Sequence, residues 1–527
     1  MSVLQNKEVT SVKRPNVLFI MDDQHNAKYL GCAGHPTVKT PNIDSLANEG
    51  VRFTNAFCQT GICTPSRVSF LTGLYTHTHK VYGNGPGIPE TLLSIGSYLQ
   101  EYGYQTFASG KLHLPGWKGN GFQKFIESGL EPNSSYGKYL EKLNLKDKMD
   151  YFGIPSPDNP TFPSYTVVCS KSRIPVEHSL SSFEASEMIR FIEKRDKSKP
   201  FFGWLTFTHP HEPFPLPEPY ASMYRLKDIL LPPFKKEWWD KIPPEQKEWA
   251  ITRGYDNFSE EELKICIAFY CGLISLVDWN IGRVLKRLKE LGLEEDTVVI
   301  FSSDHGDFAG EHGWINKGFN YDAINKIPMI LKFPKKFVKG EVRQQLVESV
   351  DIFPTICEVA KIPVPVTYPT RQENFVVPVV QGKSLLPLLL KDGGAISGKE
   401  EIFTEWLFAK TVRTKRYKLV FPSSNFIQMS GKPFTGELYD LEKDPFEWSN
   451  LYYEKKYSKI HRELEYKILS FFMKTEIPAN AMIQLITSKD HIDWWKEISD
   501  SKNIDRNDIP VPTVLKSSAV LYKKAKW

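Results

Sequence analysis

At 527 residues the chain is longer than one hydrophobic core normally serves, so a large domain with a smaller partner is the expected organisation. Its 67 basic and 62 acidic residues leave a formal charge of +5, but the two signs are interspersed and no basic tract suggests nucleic acid. The polar segment from Met1 to Arg14 lacks the apolar stretch of a secretory leader and no later run reads as a membrane span, so the expectation is a cytoplasmic protein with no membrane partner.

Seven cysteines without a Cys-x-x-Cys pair fit reduced thiols better than a disulfide framework. From Pro15 the run PNVLFIMDD is continuously apolar and ends in two carboxylates, as a strand buried on both faces would, with Asp22 and Asp23 emerging at its carboxyl end. The segment TPNIDSLANEGVRFTNAF predicts a helix with Asp44 as its cap and Gly50 as its stop, then a strand over 51–57.

The stretch Cys63-Thr64-Pro65-Ser66-Arg67 opens a second helix, because Pro65 tolerates a first turn and Val68, Phe70 and Leu71 supply an apolar face. Cys63 then stands at a helix N-terminus, where unpaired N–H groups favour a thiolate or a bound oxyanion. A helix over 92–102 follows, then TFASGKLHL, a strand ending in Gly110, Lys111 and His113. The same grammar recurs where FFGWLTF ends in Thr208, His209, Pro210 and His211, and where TVVIFSS ends in Asp304 and His305 after a long amphipathic helix over 263–291.

Two stretches, 117–198 and 212–262, read as irregular and fit a cover over a site. After KIPMILKFP and a helix with Asp351 near its cap, the pattern changes around 391–398 to alternating segments joined by turns, then a helix over 458–473. The expected division is a polar tail (1–14), a catalytic α/β domain (15–395), a C-terminal α+β subdomain with an antiparallel sheet (396–475), and an arm (476–527) packed on the body or on another subunit of an oligomer.

Four apolar strands thus each deliver polar residues at one end, the end where open α/β sheets bind ligands. Asp22, Asp23, Asp304 and His305 form a set suited to a divalent cation: the oxygens favour Ca²⁺ or Mg²⁺, and the imidazole leaves room for Mn²⁺. Arg67, Lys111 and Lys317 supply charge for an anionic substrate, and His113 and His211 supply proton transfer near neutral pH. His77, His79 and His209 are further candidates, each read first as a structural histidine. The combination suits hydrolysis of a sulfate or phosphate ester.

CTPSR followed by VSFLTG resembles the C-x-P-S-R signature of type I, formylglycine-dependent sulfatases of the alkaline phosphatase superfamily. PNVLFIMDD, GKLH, the histidine before Glu212-Pro213, TVVIFSSDHGD and GEHGWINKG resemble further sulfatase segments in order, and VRTKRYKL and ELYDLEKDPFEWSNL are similar to the family's C-terminal region.

The resemblance implies a large mixed sheet flanked by helices, and a sulfuric ester hydrolase in which a maturation enzyme converts Cys63 to formylglycine. It assigns Asp22, Asp23, Cys63, Asp304 and His305 to the metal, with calcium favoured. It further implies that Arg67 holds the formylglycine diol, Lys111 and Lys317 clamp the sulfate, His211 protonates the departing alcohol and His113 deprotonates the diol to expel sulfate. The aromatic-rich insertions suggest a sulfated saccharide as substrate. Two rivals stand beside this reading: a phosphonate monoester or phosphodiester hydrolase, which often carries the Asp-His pair seen here, and a non-catalytic binding protein with Cys63 unconverted.

Overall fold

A computed structural model of the protein describes residues 14–90, 92–149, 169–365, 380–422 and 435–476. The arm expected over 476–527, with any contact to a second subunit, falls outside these apart from residue 476, as does nearly all of the N-terminal tail.

The strands in chain order are β1 (Asn16–Asp23), β2 (Val51–Phe57), β3 (Gln105–Gly110), β4 (Lys124–Glu127), β5 (Cys169–Lys171), β6 (Phe201–Pro210), β7 (Phe214–Leu216), β8 (Thr297–Ser303), β9 (Lys326–Lys332), β10 (Glu341–Glu348), β11 (Glu401–Trp406), β12 (Ala409–Thr414), β13 (Tyr417–Pro422) and β14 (Glu437–Asp440). Eight of them make one sheet in the order β10-β2-β9-β8-β1-β6-β3-β4. Neighbours are parallel except where β9 runs against β2 and β8, so the sheet is mixed. β11 to β14 form a separate antiparallel sheet, and β5 pairs with β7.

Every residue of β1 is buried, because the strand is central and both sheet faces are covered. Val17, Phe19 and Met21 join the core under the helices Cys63–Thr72, Ile95–Glu101 and Ile352–Val359. Leu18 and Ile20 point the other way, into a core completed by Pro41–Asn48, Leu180–Lys194 and Glu260–Glu290. The second sheet packs Val412, Leu419 and Leu438 against Leu464 and Ile468 of the helix Ser458–Thr475.

Several expectations change. The stretch 117–198, read as irregular, holds the helices Ser135–Lys142 and Leu180–Lys194. The second buries Ser181, Ser182, Glu184 and Glu187 on its inner face, and these polar residues erase the apolar periodicity that would have announced it. The stretch 212–262 likewise contains β7 and the helix Pro244–Thr252. Asp44 does not cap its helix: it lies inside Pro41–Asn48, and the free N–H groups of Asn42 and Ile43 donate instead to Asp278 of the long helix. That long helix, Glu260–Glu290, has the length and apolar character of a membrane span, contrary to expectation, but 78% of its most apolar window is buried inside the protein.

Candidate active site

The parallel strands set their carboxyl ends along one edge, and the chemically active side chains leave from that edge. Asp23 closes β1, Lys111 follows β3, His211 follows β6, and Asp304 and His305 follow β8. β2 reaches the same edge and hands the chain through residues 58–62 to Cys63. Gly110 is required at the end of β3: its φ is +109°, and a Cβ there would sit 1.7 Å from the Thr206 carbonyl oxygen on β6.

The helix Cys63–Thr72 begins after Ile62, which is extended, and all ten of its residues are buried. It is tied to the far half of the chain through Ser66, whose hydroxyl donates to the Asp304 carbonyl at 2.5 Å. Cys63 Sγ lies 3.2 Å from His305 Nε2, 3.4 Å from Lys317 Nζ and 3.9 Å from Asp23 Oδ1. The ligand atoms of Asp23, Cys63, Asp304 and His305 all lie within 4.8 Å of one another, in a fully buried cluster.

Arg67 organises the two carboxylates. Its Nη2 donates to Asp23 Oδ2 at 2.8 Å, its Nε to Asp304 Oδ2 at 2.9 Å, and its Nη1 to Thr206 Oγ1 at 2.6 Å and to the Lys111 carbonyl. Lys111 Nζ also meets Asp23 Oδ2, at 2.7 Å. The Oδ2 atoms therefore face fixed cations, while the Oδ1 atoms belong to the side shared with Cys63 and His305.

The charges interact strongly. Burial would raise the Cys63 thiol, but Lys317, Lys111 and His305 outweigh it and hold the thiol well below its usual value. Burial likewise works against the Asp23 carboxylate, yet Lys111, His211 and Arg67 keep it below the ordinary range. Asp304 moves the other way: burial and the nearby Asp23 raise it. Such opposed shifts in one pocket mark a site built around charge.

Asp22 is not one of the four clustered residues. One of its oxygens contacts His25 Nδ1 at 2.6 Å, and the other, Oδ1, is buried with no hydrogen-bond partner. His113 contributes a hydrogen bond that helps lower the Cys63 thiol, and its Nδ1 is buried and unpartnered. His211 is more open, with a side chain 19% exposed, and its Nδ1 donates to the Glu212 carbonyl at 2.5 Å. The three further candidate histidines have hydrogen-bond partners outside the cluster. His209 contacts Ser181 Oγ and is pushed down to about 3 by burial, His79 contacts Ser69 Oγ, and His77 pairs with Glu405.

A family model described as Sulfatase matches residues 15–362, and one described as N-sulphoglucosamine sulphohydrolase, C-terminal, matches 310–474. The chain belongs to the sulfatase family. Among its relatives is an arylsulfatase of Clostridium perfringens, 29% identical over 462 residues, which cover 85% of this chain and 92% of the relative. An N-acetylglucosamine-6-O-sulfatase of Bacteroides thetaiotaomicron is 26% identical over 520 residues, covering 87% and 86%. Among solved structures, the phosphonate monoester hydrolase of Agrobacterium radiobacter superposes with a TM-score of 0.75 at 26% identity, covering 88% of this chain and 96% of that one. This sulfatase is accordingly a sulfuric ester hydrolase on an alkaline-phosphatase-like fold.

Sequence reasoning missed a second circle of buried residues around the site: Gln24, Thr206, Glu212, Asp307 and Asn316. Glu212, Asp307 and Asn316 lie inside or beside the family-like segments, so their neighbourhood was marked. Nothing local in Gln24 or Thr206 distinguishes them from polar residues at the end of any strand.

Proposed function

We propose that this sulfatase cleaves a sulfate monoester of a saccharide, using Cys63 in its formylglycine form and a divalent cation. The observation that carries the reading is the convergence of Cys63, Asp23, Asp304 and His305 within 4.8 Å, ringed by Arg67, Lys111 and Lys317. The donor set fits a hard or borderline cation, and the buried, unpartnered Oδ1 of Asp22 is an oxygen still in need of a positive partner. Asp22, Asp23, Asp304 and His305 would hold the ion, with calcium favoured and magnesium or manganese as the alternatives. A cation so held and a formylglycine hydrate would supply, respectively, charge stabilisation at a sulfate oxygen and the attacking oxygen.

The chain's own residues do the rest. Lys317, beside Cys63, and Lys111, on Asp23, are placed to bind the non-reacting sulfate oxygens. Arg67 keeps both carboxylates in fixed orientation, so little reorganisation accompanies charge development. His211, 19% exposed, would give a proton to the leaving alcohol, and His113, close enough to influence the Cys63 thiol, would remove one there.

The sugar preference draws support from the N-acetylglucosamine-6-O-sulfatase relative. The stacking argument from the insertions is weakened, since Trp238 and Tyr255 are buried in the core. A second reading, phosphonate monoester hydrolysis, is favoured by the Agrobacterium structure and by His305 in the cluster.

The test is the full chain produced with a formylglycine-generating enzyme and supplied with calcium or manganese. The peptide containing Cys63 is expected to be lighter by the exchange of two hydrogens and sulfur for oxygen, and sulfate release from 6-sulfated N-acetylglucosamine or an aryl sulfate to exceed cleavage of the matched aryl phosphonate. An unconverted cysteine with no turnover would return the binding-protein rival, and a faster phosphonate reaction the second reading.

A further inference from the structure

We propose that Thr64 and Glu127 are positioning residues for His113: together they clamp both polar groups of its backbone and so fix its imidazole beside residue 63. The proposal rests on the reading above only in taking His113 as the group that removes a proton there.

His113 has a backbone φ of +53°, a left-handed conformation that a residue with a side chain keeps only where its surroundings hold it. Its two main-chain groups are held from different elements. The N–H donates to Glu127 Oε1, at the end of β4, at 3.2 Å, and the carbonyl accepts from the Thr64 hydroxyl at 2.8 Å. Its Nδ1 is buried without a hydrogen-bond partner, so no bond at that atom orients the ring and the task falls to the main chain.

Thr64 is suited to this by its place. It follows Cys63 in the same buried helix, has no exposed surface, and is itself held through its N–H, which donates to Asn84 Oδ1 at 3.0 Å. The bond to His113 therefore joins the main chain of the base to the residue next to the one it serves.

Lys111, two residues earlier, is fastened to a different support. Its N–H donates to the Thr206 carbonyl at 2.9 Å, and its own carbonyl accepts from Thr206 Oγ1 at 3.0 Å. The chain thus leaves the sheet at Lys111 and is caught by the Cys63 helix at His113. Without the Thr64 hydroxyl, the carbonyl end of His113 loses that tie, and the left-handed turn is held only from the side of β4.

A double-mutant cycle tests this, with rates taken per converted residue 63, counted by peptide mass, because Thr64 lies in the signature segment. Thr64→Val keeps the branched shape and removes the donor, and is expected to lower kcat/KM for 4-nitrophenyl sulfate by about 10²-fold, the cost of a small misplacement at a reacting centre. On a His113→Ala background the same change is expected to cost no more than about twofold. Thr64→Ser, which keeps the hydroxyl, is expected to stay within about threefold of the parent. Equal losses in both backgrounds, a serine variant as slow as the valine one, or an undiminished rate in a folded Thr64→Val protein would overturn the proposal.

If Thr64→Val does not fold, Glu127→Ala carries the test at the exposed end of the clamp. It is expected to lower kcat/KM by about fivefold in the parent and not at all on the His113→Ala background; an unchanged rate in the parent, or the same loss in both, overturns the clamp. Should the parent release sulfate from no ester, the proposed function fails by itself. Crystal structures of the parent and of whichever variant folds, both with Cys63 unconverted, then decide: His113 is expected to leave the left-handed region or its imidazole to shift by about 1 Å, and an unmoved His113 overturns the proposal.

Discussion

Arg67 has no exposed surface, and its guanidinium meets Asp23, Asp304, Thr206 and the Lys111 carbonyl. Removing one member of such a buried set leaves the others uncompensated, so Arg67→Ala is expected to cost about 3–5 kcal/mol of stability, measured by urea unfolding of the metal-free protein. A loss below 1 kcal/mol would mean that water replaces the guanidinium. Glu184 gives a pH prediction. It is buried under Ser128 and Thr208, which donate to it, and burial pushes it up to about 7 from the usual 4.5. Between those values the folded protein holds a proton that the unfolded chain has lost, so this group's contribution to stability falls as pH rises through that window and is level above it. Unfolding free energies of Glu184→Gln between pH 5 and pH 8 are expected to show a shallower decline than the parent's; parallel curves would place the titration elsewhere.

At the scale of the element, Asp278 shows how a helix start can depend on a residue far away in sequence. Its carboxylate, in the middle of the long helix, accepts from the N–H groups of Asn42 and Ile43 and from Asn42 Nδ2, at the positive end of Pro41–Asn48. Asp278→Ala is expected to destabilise by about 1–3 kcal/mol, the cost of leaving buried donors unpaired. Ser259→Ala, which breaks the exposed capping box with Glu262 at the start of the long helix, is expected to cost about 1 kcal/mol with unchanged turnover. Thermal melts with parallel rate measurements check both. What the sequence made legible follows the same division. β1, β6 and β8 could be read because they are apolar on both faces, and their polar ends located Asp23, His211 and Asp304. Local capping rules pointed to Asp44 and not to Asp278, since a cap supplied from another helix leaves no local trace. The helix Leu180–Lys194 was hidden for a related reason: its buried face carries Ser181 and Glu184, whose side-chain hydrogen-bond partners lie on other elements. Gln24 was invisible because its hydrogen bonds to Glu212 and Asp307 exist only once the segments bearing those carboxylates have come together.

Over the whole molecule, the second sheet is bound into the frame of the active site. The Glu405 N–H donates to the Gln59 carbonyl just before the Cys63 helix, the Phe403 N–H donates to Glu348 at the end of β10, and buried Lys418 reaches the Asn320 carbonyl and Asp322, a few residues beyond Lys317. A chain ended after residue 395 would lose these ties together and expose Val350 and Tyr75, which pack with Phe403 and Val412. It is expected to lack both a cooperative melt and turnover, as read by circular dichroism and sulfate release; a folded, active fragment would show that the second sheet is an accessory. The depth of the frame has a consequence for when residue 63 can be altered. With 1% of its surface open, that side chain is beyond the reach of any macromolecular catalyst once strands from both halves of the polypeptide have closed over it. Any covalent processing of it by another protein would therefore belong to the interval between synthesis and folding, and a chain that folded first would be locked with its thiol as translated.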